Sequence, residues 1–548
     1  MITTLGRSKI RSMIIVLAVA VFATVGAVAV VARFTTAALA AVPVEDEGAD
    51  CAVSVPGSLP SSARLPDPFR KLDGNRITAK SDWRCRRAEI KELAERSVYG
   101  QKPAGPASVT GTVSGTNITV NVTDQGRSSS FSASVQLPTG TGPFPAVVVV
   151  GGFGADTATI RAAGAAIINY DPLAVGREGT PRNNKQGAFY SIYGATSSVG
   201  LLLAWAWGVS RIIDVIEQSG GSILRADAMG VTGCSRYGKG TFVIGAFDQR
   251  IALTMPIESG SGGAPIFRGI PGETGAQPLS SAYGEQPWLG DAFGSFTGNP
   301  GALPVDTHEM VGMIAPRGLF IMENPHIDWL SARSGSVAAL GGAEIYKALG
   351  AGANITYWSD IADGTHCAAR PEWRTPLTQH IQKFLLKTGN TAGVFRISSR
   401  KPGNLAEWRD WTTPTLTDGP TPTSGPTSSP TAGPTASPTA GPTTPPPTTP
   451  PPNGCSASVS LNQWNGGFVA TIRVTAGSAP ITGWTVAMTL PAGATITNAW
   501  NANRTGNTGA VQFTNVSFNG AIGAGQFIEW GFQATGTGAG MTPTCTAR

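Results

Sequence analysis

Apolar and polar residues follow three rhythms along this chain, and each predicts a different kind of element. Residues 146–150 (AVVVV) are an unbroken apolar run, as expected of a strand covered on both faces. Glycines follow at Gly151, Gly152 and Gly154, and residues 165–170 read as the next strand. Across 198–218 the positions Leu201, Leu202, Trp205, Ile212, Val215 and Ile216 form one wide apolar face at helical spacing. Residues 228–232 are a further strand that feeds into Gly233, and 319–322 and 355–358 are strand-like. Strands alternating with helices in this way predict an α/β domain with a parallel sheet flanked by helices. Ahead of it, residues 109–137 alternate with period two between polar turns, the pattern of antiparallel strands. Beyond residue 455, short alternating segments such as FVATIRV and WTVAMTL are separated by Gly- and Asn-rich turns. No helical period is visible there, which predicts an all-β sandwich.

Composition sets the boundaries. From 412 to 452 the chain is almost entirely Pro, Thr, Ser and Gly. Such a segment cannot bury enough apolar surface to fold, and its prolines keep it extended. It is expected to be a linker between a domain at 41–411 and another at 453–548, in line with a length of 548 residues that exceeds one core. Residues 1–40 carry Arg7, Lys9 and Arg11, an apolar run over 13–32, and Ala38-Leu39-Ala40, the arrangement of an export signal and its cleavage site. The run is also long enough for a membrane anchor, but the small-x-small site favours cleavage and a secreted protein. That segment holds four basic and no acidic residues, so its removal takes the formal charge from +6 to +2. A chain so near neutral carries no electrostatic footprint for nucleic acid. Six cysteines in an exported chain point to disulfides, and no C-x-x-C spacing supports zinc or redox chemistry. Cys455 and Cys545 lie beyond the linker and pair most simply with each other; Cys51, Cys85, Cys234 and Cys367 leave three connectivities.

The candidate chemistry centres on Gly233-Cys234-Ser235-Arg236-Tyr237-Gly238-Lys239-Gly240. A serine at a strand-to-helix turn has its hydroxyl lifted clear of the sheet, and the first helical N–H groups face the space where an oxyanion would form. The second glycine of the usual G-x-S-x-G elbow comes one residue late here. Serine needs a base, and the base an orienting acid. Of His308, His326, His366 and His380, the loop residue His366 lies where an α/β-hydrolase places its histidine. His380, on a helical segment, is expected at the surface or core edge, and His308 is expected to be structural. Glu258 is the first choice for the acid; Glu323, Asp328 and Asp363 are alternatives.

These segments resemble the glucuronoyl esterases of carbohydrate esterase family 15. G-C-S-R-x-G-K-G resembles that family's nucleophile signature, late glycine included, and IESG, HEMVGMIAPRG and ENPHIDW resemble further blocks. The resemblance implies an α/β-hydrolase three-layer sandwich and hydrolysis of esters between 4-O-methyl-D-glucuronic acid of glucuronoxylan and lignin alcohols, with no cofactor and no metal. It implies Ser235, His366 and Glu258 as the catalytic set and Arg236 at the oxyanion. Lys239, Gln277, Glu285 and Trp329 would grip the sugar. His366-Cys367 matches a His-Cys pair whose cysteine bridges to the residue before the nucleophile, which implies Cys234–Cys367 and then Cys51–Cys85.

The small domain's blocks QWNGGF, AWNANRTG and NVSFNG resemble family 2 carbohydrate-binding modules. The resemblance implies a cellulose surface as partner, met by Trp464, Trp500 and Phe518 in a flat aromatic row. Trp484 and Trp530, in alternating strands, are expected in the core, and the molecule is expected to be a monomer. The rival readings are an acetyl or feruloyl xylan esterase, which would share the triad but not need the sugar-gripping residues, a peptidase, and a non-catalytic binding protein with a decayed hydrolase domain.

Overall fold

The apolar runs become the middle of a large mixed sheet in a computed structural model that describes residues 44–57, 60–390, 393–418, 454–464, 466–500, 502–516 and 519–548. The export segment 1–40 and most of the 412–452 linker lie outside the described residues. No described helix is long and apolar enough to cross a membrane. The chain divides into two compact units, Met1–Ser424 and Gly425–Arg548.

In the larger unit, β1 (Ser108–Val113), β2 (Asn117–Asp124) and β3 (Arg127–Gln136) form the antiparallel entry to the sheet. β4 (Phe144–Val150), β5 (Ala166–Tyr170), β6 (Leu224–Cys234), β7 (Ile251–Ile257), β8 (Gly318–Met322), β9 (Ile355–Trp358) and β10 (Phe395–Arg396) run parallel. The order across the sheet is β1-β2-β3-β5-β4-β6-β7-β8-β9-β10. Among the helices that cover it are α1 (Trp83–Ala94), α2 (Leu201–Gln218), α3 (Arg236–Phe247), α4 (Leu279–Glu285), α5 (Thr307–Ile314), α6 (Ala332–Ala348) and α7 (Pro371–His380). The even-numbered valines of β4 join one core cluster and Val147 and Val149 another, so β4 is covered on both faces, as its continuous apolar run requires.

Helix α2 starts at Leu201, three residues later than its sequence pattern suggests, because Gly200 is extended and donates to the Tyr99 carbonyl. Residues 412–418, expected to open the linker, stay against the larger unit. Thr417 donates to Thr78, its carbonyl accepts from Lys80, and Asp418 pairs with Lys80 at 2.7 Å.

His308 and His380 are both core residues. The first meets the Pro66 carbonyl and stacks on Trp411. His380 corrects the expectation of a surface or core-edge position: only 2% exposed, it lies between Thr356 and the Pro376 carbonyl and stacks on Phe320. The helix that carries it packs on the sheet, so its polar ring is satisfied by hydrogen bonds inside the core. Burial pulls both imidazoles down to about 4.

The smaller unit is two antiparallel four-stranded sheets. Trp484 and Trp530 are buried between them and stack at 5.6 Å. The Cys455–Cys545 disulfide joins the first strand of one sheet to the last strand of the other. Trp464 and Trp500 end strands Cys455–Trp464 and Thr495–Trp500. Their side chains, and Phe518 entirely, lie outside the described residues.

Candidate active site

Ser235 sits between β6 and α3 with φ 60° and ψ −125°, a conformation unfavourable for any residue with a Cβ. The turn is held because Ser235 N–H donates to the Ile257 carbonyl and its own carbonyl accepts from Lys239. The late glycine has a steric cause. A Cβ at Gly238 would stand 2.4 Å from the Ile257 carbonyl oxygen, so the helix can pass β7 only with glycine there. Position 237 can hold a ring, which lies against Gly151, where a Cβ would fall 2.2 Å from it.

Glu258 follows β7 at φ 47° and is completely buried. Its carboxylate accepts four hydrogen bonds: from His366 Nδ1 at 2.6 Å, the Cys367 N–H at 2.9 Å, Arg370 at 3.2 Å and Asn324 Nδ2 at 3.4 Å. A carboxylate can only accept, so Nδ1 carries the proton and Nε2 keeps its lone pair. The other candidate acids point elsewhere. Asp328 pairs with Lys401 at 2.8 Å, Asp363 caps its own turn at Thr365, and Glu323 meets Ser259 Oγ at 3.4 Å. Burial, with Glu258 nearby, pushes the Glu323 carboxyl well above the usual range.

The disulfide Cys234–Cys367 ties the residue before Ser235 to the residue after His366, and Cys51–Cys85 pins the N-terminal segment to α1. Cys234, Cys367, Glu258 and His366 have the mutual spacing of a metal site. With both sulfurs bonded to each other, two ligating groups remain, fewer than a zinc site uses.

A cavity of about 460 Å³ opens at Ser235 and His366, lined by Arg236, Lys239, Gln277, Glu285, Trp288 and Trp329 among others. Gln277 Nε2 donates to Glu285 at 2.8 Å, which leaves the amide carbonyl for a ligand. Lys239 is buried, donating to the Ser259 carbonyl at 2.5 Å with the Trp288 ring 5.4 Å away. Burial lowers its ammonium to about 8, the pull of Glu285 and Glu323 only partly offsetting it. Trp329 is 54% exposed and meets the His366 ring edge-on at 6.3 Å. Arg236 is held by Glu178 at 3.0 Å, and Trp288 Nε1 donates to the same carboxylate at 2.5 Å.

The site thus gathers Ser235, Arg236, Lys239, Glu258, Gln277, Glu285, Trp329 and His366, but not the alternative acids or His308 and His380. It also contains four that sequence reading missed: Arg370, Asn324, Glu178 and Trp288. Each acts through a contact with a residue distant in the chain, and none sits in a pattern that periodicity or spacing would mark.

Residues 120–350 match the family model described as "Glucuronyl esterase, fungi", and 455–547 match "Cellulose binding domain". The 4-O-methyl-glucuronoyl methylesterase of Hypocrea jecorina is 39% identical over 377 residues, which span 68% of this chain and 80% of that one. The Thermothelomyces thermophilus enzyme of the same name is 39% identical over 378 residues, 67% of this chain and 92% of that one. The chain belongs to the glucuronoyl esterase family. Solved structures agree. The Hypocrea jecorina glucuronoyl esterase catalytic domain superposes with a TM-score of 0.62 at 38% identity, covering 66% of this chain and all of that one. A point mutant of the Sporotrichum thermophile glucuronoyl esterase, in complex with methyl 4-O-methyl-beta-D-glucopyranuronate, gives 0.62 at 37%, covering 67% and 99%. Like other glucuronoyl esterases this chain is a carboxylic ester hydrolase on an α/β-hydrolase fold, and it carries a cellulose-binding module.

Proposed function

We propose that this glucuronoyl esterase is secreted and cleaves the ester that joins 4-O-methyl-D-glucuronic acid of glucuronoxylan to lignin alcohols. The observation that carries the reading is the cavity at Ser235, which offers a buried ammonium, a glutamine carbonyl, a carboxylate and an aromatic face to one sugar ring. In the proposed mechanism His366 Nε2 takes the Ser235 proton as Oγ bonds to the uronate carbonyl carbon. The negative oxygen is met by Arg236 and the N-terminus of α3. The carbon–alkoxy bond then breaks, His366 gives its proton to the departing alcohol, and water repeats the sequence to release the uronic acid. Glu258 orients the imidazole and stabilises its charged form, while Arg370 and Asn324 hold Glu258. Support for a serine mechanism comes from the strained turn and the Glu258–His366 bond. Support for secretion comes from the export-type segment, three disulfides and a cellulose-binding module.

The module would bring the esterase to cellulose-rich walls through Trp464, Trp500 and Phe518. One experiment covers substrate and targeting: assay benzyl glucuronate and acetylated xylan hydrolysis before and after incubation with microcrystalline cellulose. Uronate-ester activity should dominate and should leave the supernatant with the cellulose, but stay in it once residues 453–548 are removed. Deacetylation without uronate-ester cleavage would sink the substrate assignment.

A further inference from the structure

We propose that Phe153 forms a subsite for the aryl group of an aromatic alcohol, outside the cavity that holds the uronate. The proposal rests on the uronate-ester reading above. Among the described residues of the larger unit the large apolar side chains that stand exposed are Val44, Phe153, Trp329 and Val394, and only two of these are aromatic. Each touches a ring of the site's own segments: Trp329 that of His366, and Phe153 that of Tyr237, which follows Ser235 by two residues. Trp329 lines the cavity beside His366, whereas Phe153, 47% exposed, lies outside its lining and packs edge-on against Tyr237 at 5.8 Å.

The loop that carries Phe153 is built to hold it there. Gly151, Gly152 and Gly154 have φ of 72°, 76° and 80°, a region that disfavours side chains. Gly151 lies on the Tyr237 ring, and a Cβ at Gly154 would stand 2.4 Å from Cys234 Cβ and 3.3 Å from Cys367 Cβ. The loop therefore crosses over the disulfide, next to the residues that precede Ser235 and follow His366. The Phe153 ring keeps 47% of its surface exposed while one edge rests on Tyr237.

The chemistry sets the direction of the leaving group. In acylation the Ser235 Oγ–carbon bond forms, the carbon–alkoxy bond breaks, and the alcohol oxygen takes its proton from His366. With the sugar held by Lys239, Gln277 and Glu285, the alcohol must project from the Ser235–His366 pair away from them. Phe153, exposed and pinned by Tyr237 in the loop over the Cys234–Cys367 bridge, is the ring assigned to receive it. A benzylic alcohol presents an aromatic face that this ring can meet; a methyl group presents none.

The test compares kcat/KM of the wild type, Phe153→Ala and Phe153→Tyr on the benzyl and methyl esters of 4-O-methylglucuronic acid. Phe153→Ala should lower the benzyl-to-methyl ratio roughly fivefold, and Phe153→Tyr should preserve it. An unchanged ratio in Phe153→Ala, or equal losses on both esters, would overturn the subsite. A wild type that cleaved neither ester would overturn the uronate reading itself, and the subsite with it.

Discussion

Glu258 and Lys239 are both buried ionisable groups, but their surroundings treat them in opposite ways. Four donors converge on the Glu258 carboxylate, among them the Arg370 guanidinium. The Lys239 ammonium has a carbonyl and an aromatic ring close by, and burial brings it down to about 8 from the ordinary 10.5. Below about pH 8 it is charged and can donate a charge-assisted hydrogen bond to a sugar hydroxyl; above that pH it loses its proton and that bond weakens. The expected result is a fall in kcat/KM as pH rises through about 8, carried by KM. Lys239→Met should lose about tenfold in kcat/KM at pH 7 and show no such limb. A limb that persisted in the variant would assign it to another group. Ser235, His366 and Lys239 were legible because each sits in a local motif or in a loop at a diagnostic point of the chain. Glu258 was the first choice from its place after the strand that follows the Ser235 helix, but Glu323 and Asp328 also follow a strand, and only the hydrogen bond to His366 separates them.

Strands and helices were more legible than their ends. The continuous apolar run of β4 and the helical face of α2 announce themselves, because burial on both faces or on one stripe leaves a period in the sequence. β6 begins at Leu224, well before the apolar stretch at 228–232, because Leu224 is buried against Phe144 of β4 while half-buried Arg225 and exposed Asp227 pair with each other. The turn at Ser235 shows element-scale logic most plainly: strand β6, helix α3 and the His366 loop meet at the Cys234–Cys367 bridge. That bridge closes a span of 133 residues and so restricts the unfolded chain considerably. Replacing both cysteines by alanine should lower stability by about 2–5 kcal/mol in denaturant unfolding. It should also cut kcat about tenfold or more, with little change in KM, because the histidine loop loses its tie to the serine. Unaltered kcat in a destabilised protein would restrict the bridge to a structural role.

For the molecule as a whole, composition alone divides the chain, since a Pro/Thr tract cannot build a core. Each of the two units has its own buried aromatic cluster and its own cross-links. The linker's first residues were misleading in composition: Thr417 and Asp418 look like spacer, yet their backbone and charge are used by Thr78 and Lys80. That contact joins residues more than 300 positions apart, and no local pattern encodes it. Cavity, histidine, acid and disulfide all converge on Ser235, the proposed nucleophile. The most direct test is the turnover of benzyl glucuronate by the purified wild type and by Ser235→Ala, with circular dichroism to show that both are folded. The account predicts a loss of roughly a thousandfold or more in kcat. A folded variant that kept its rate within about tenfold of the wild type would contradict it.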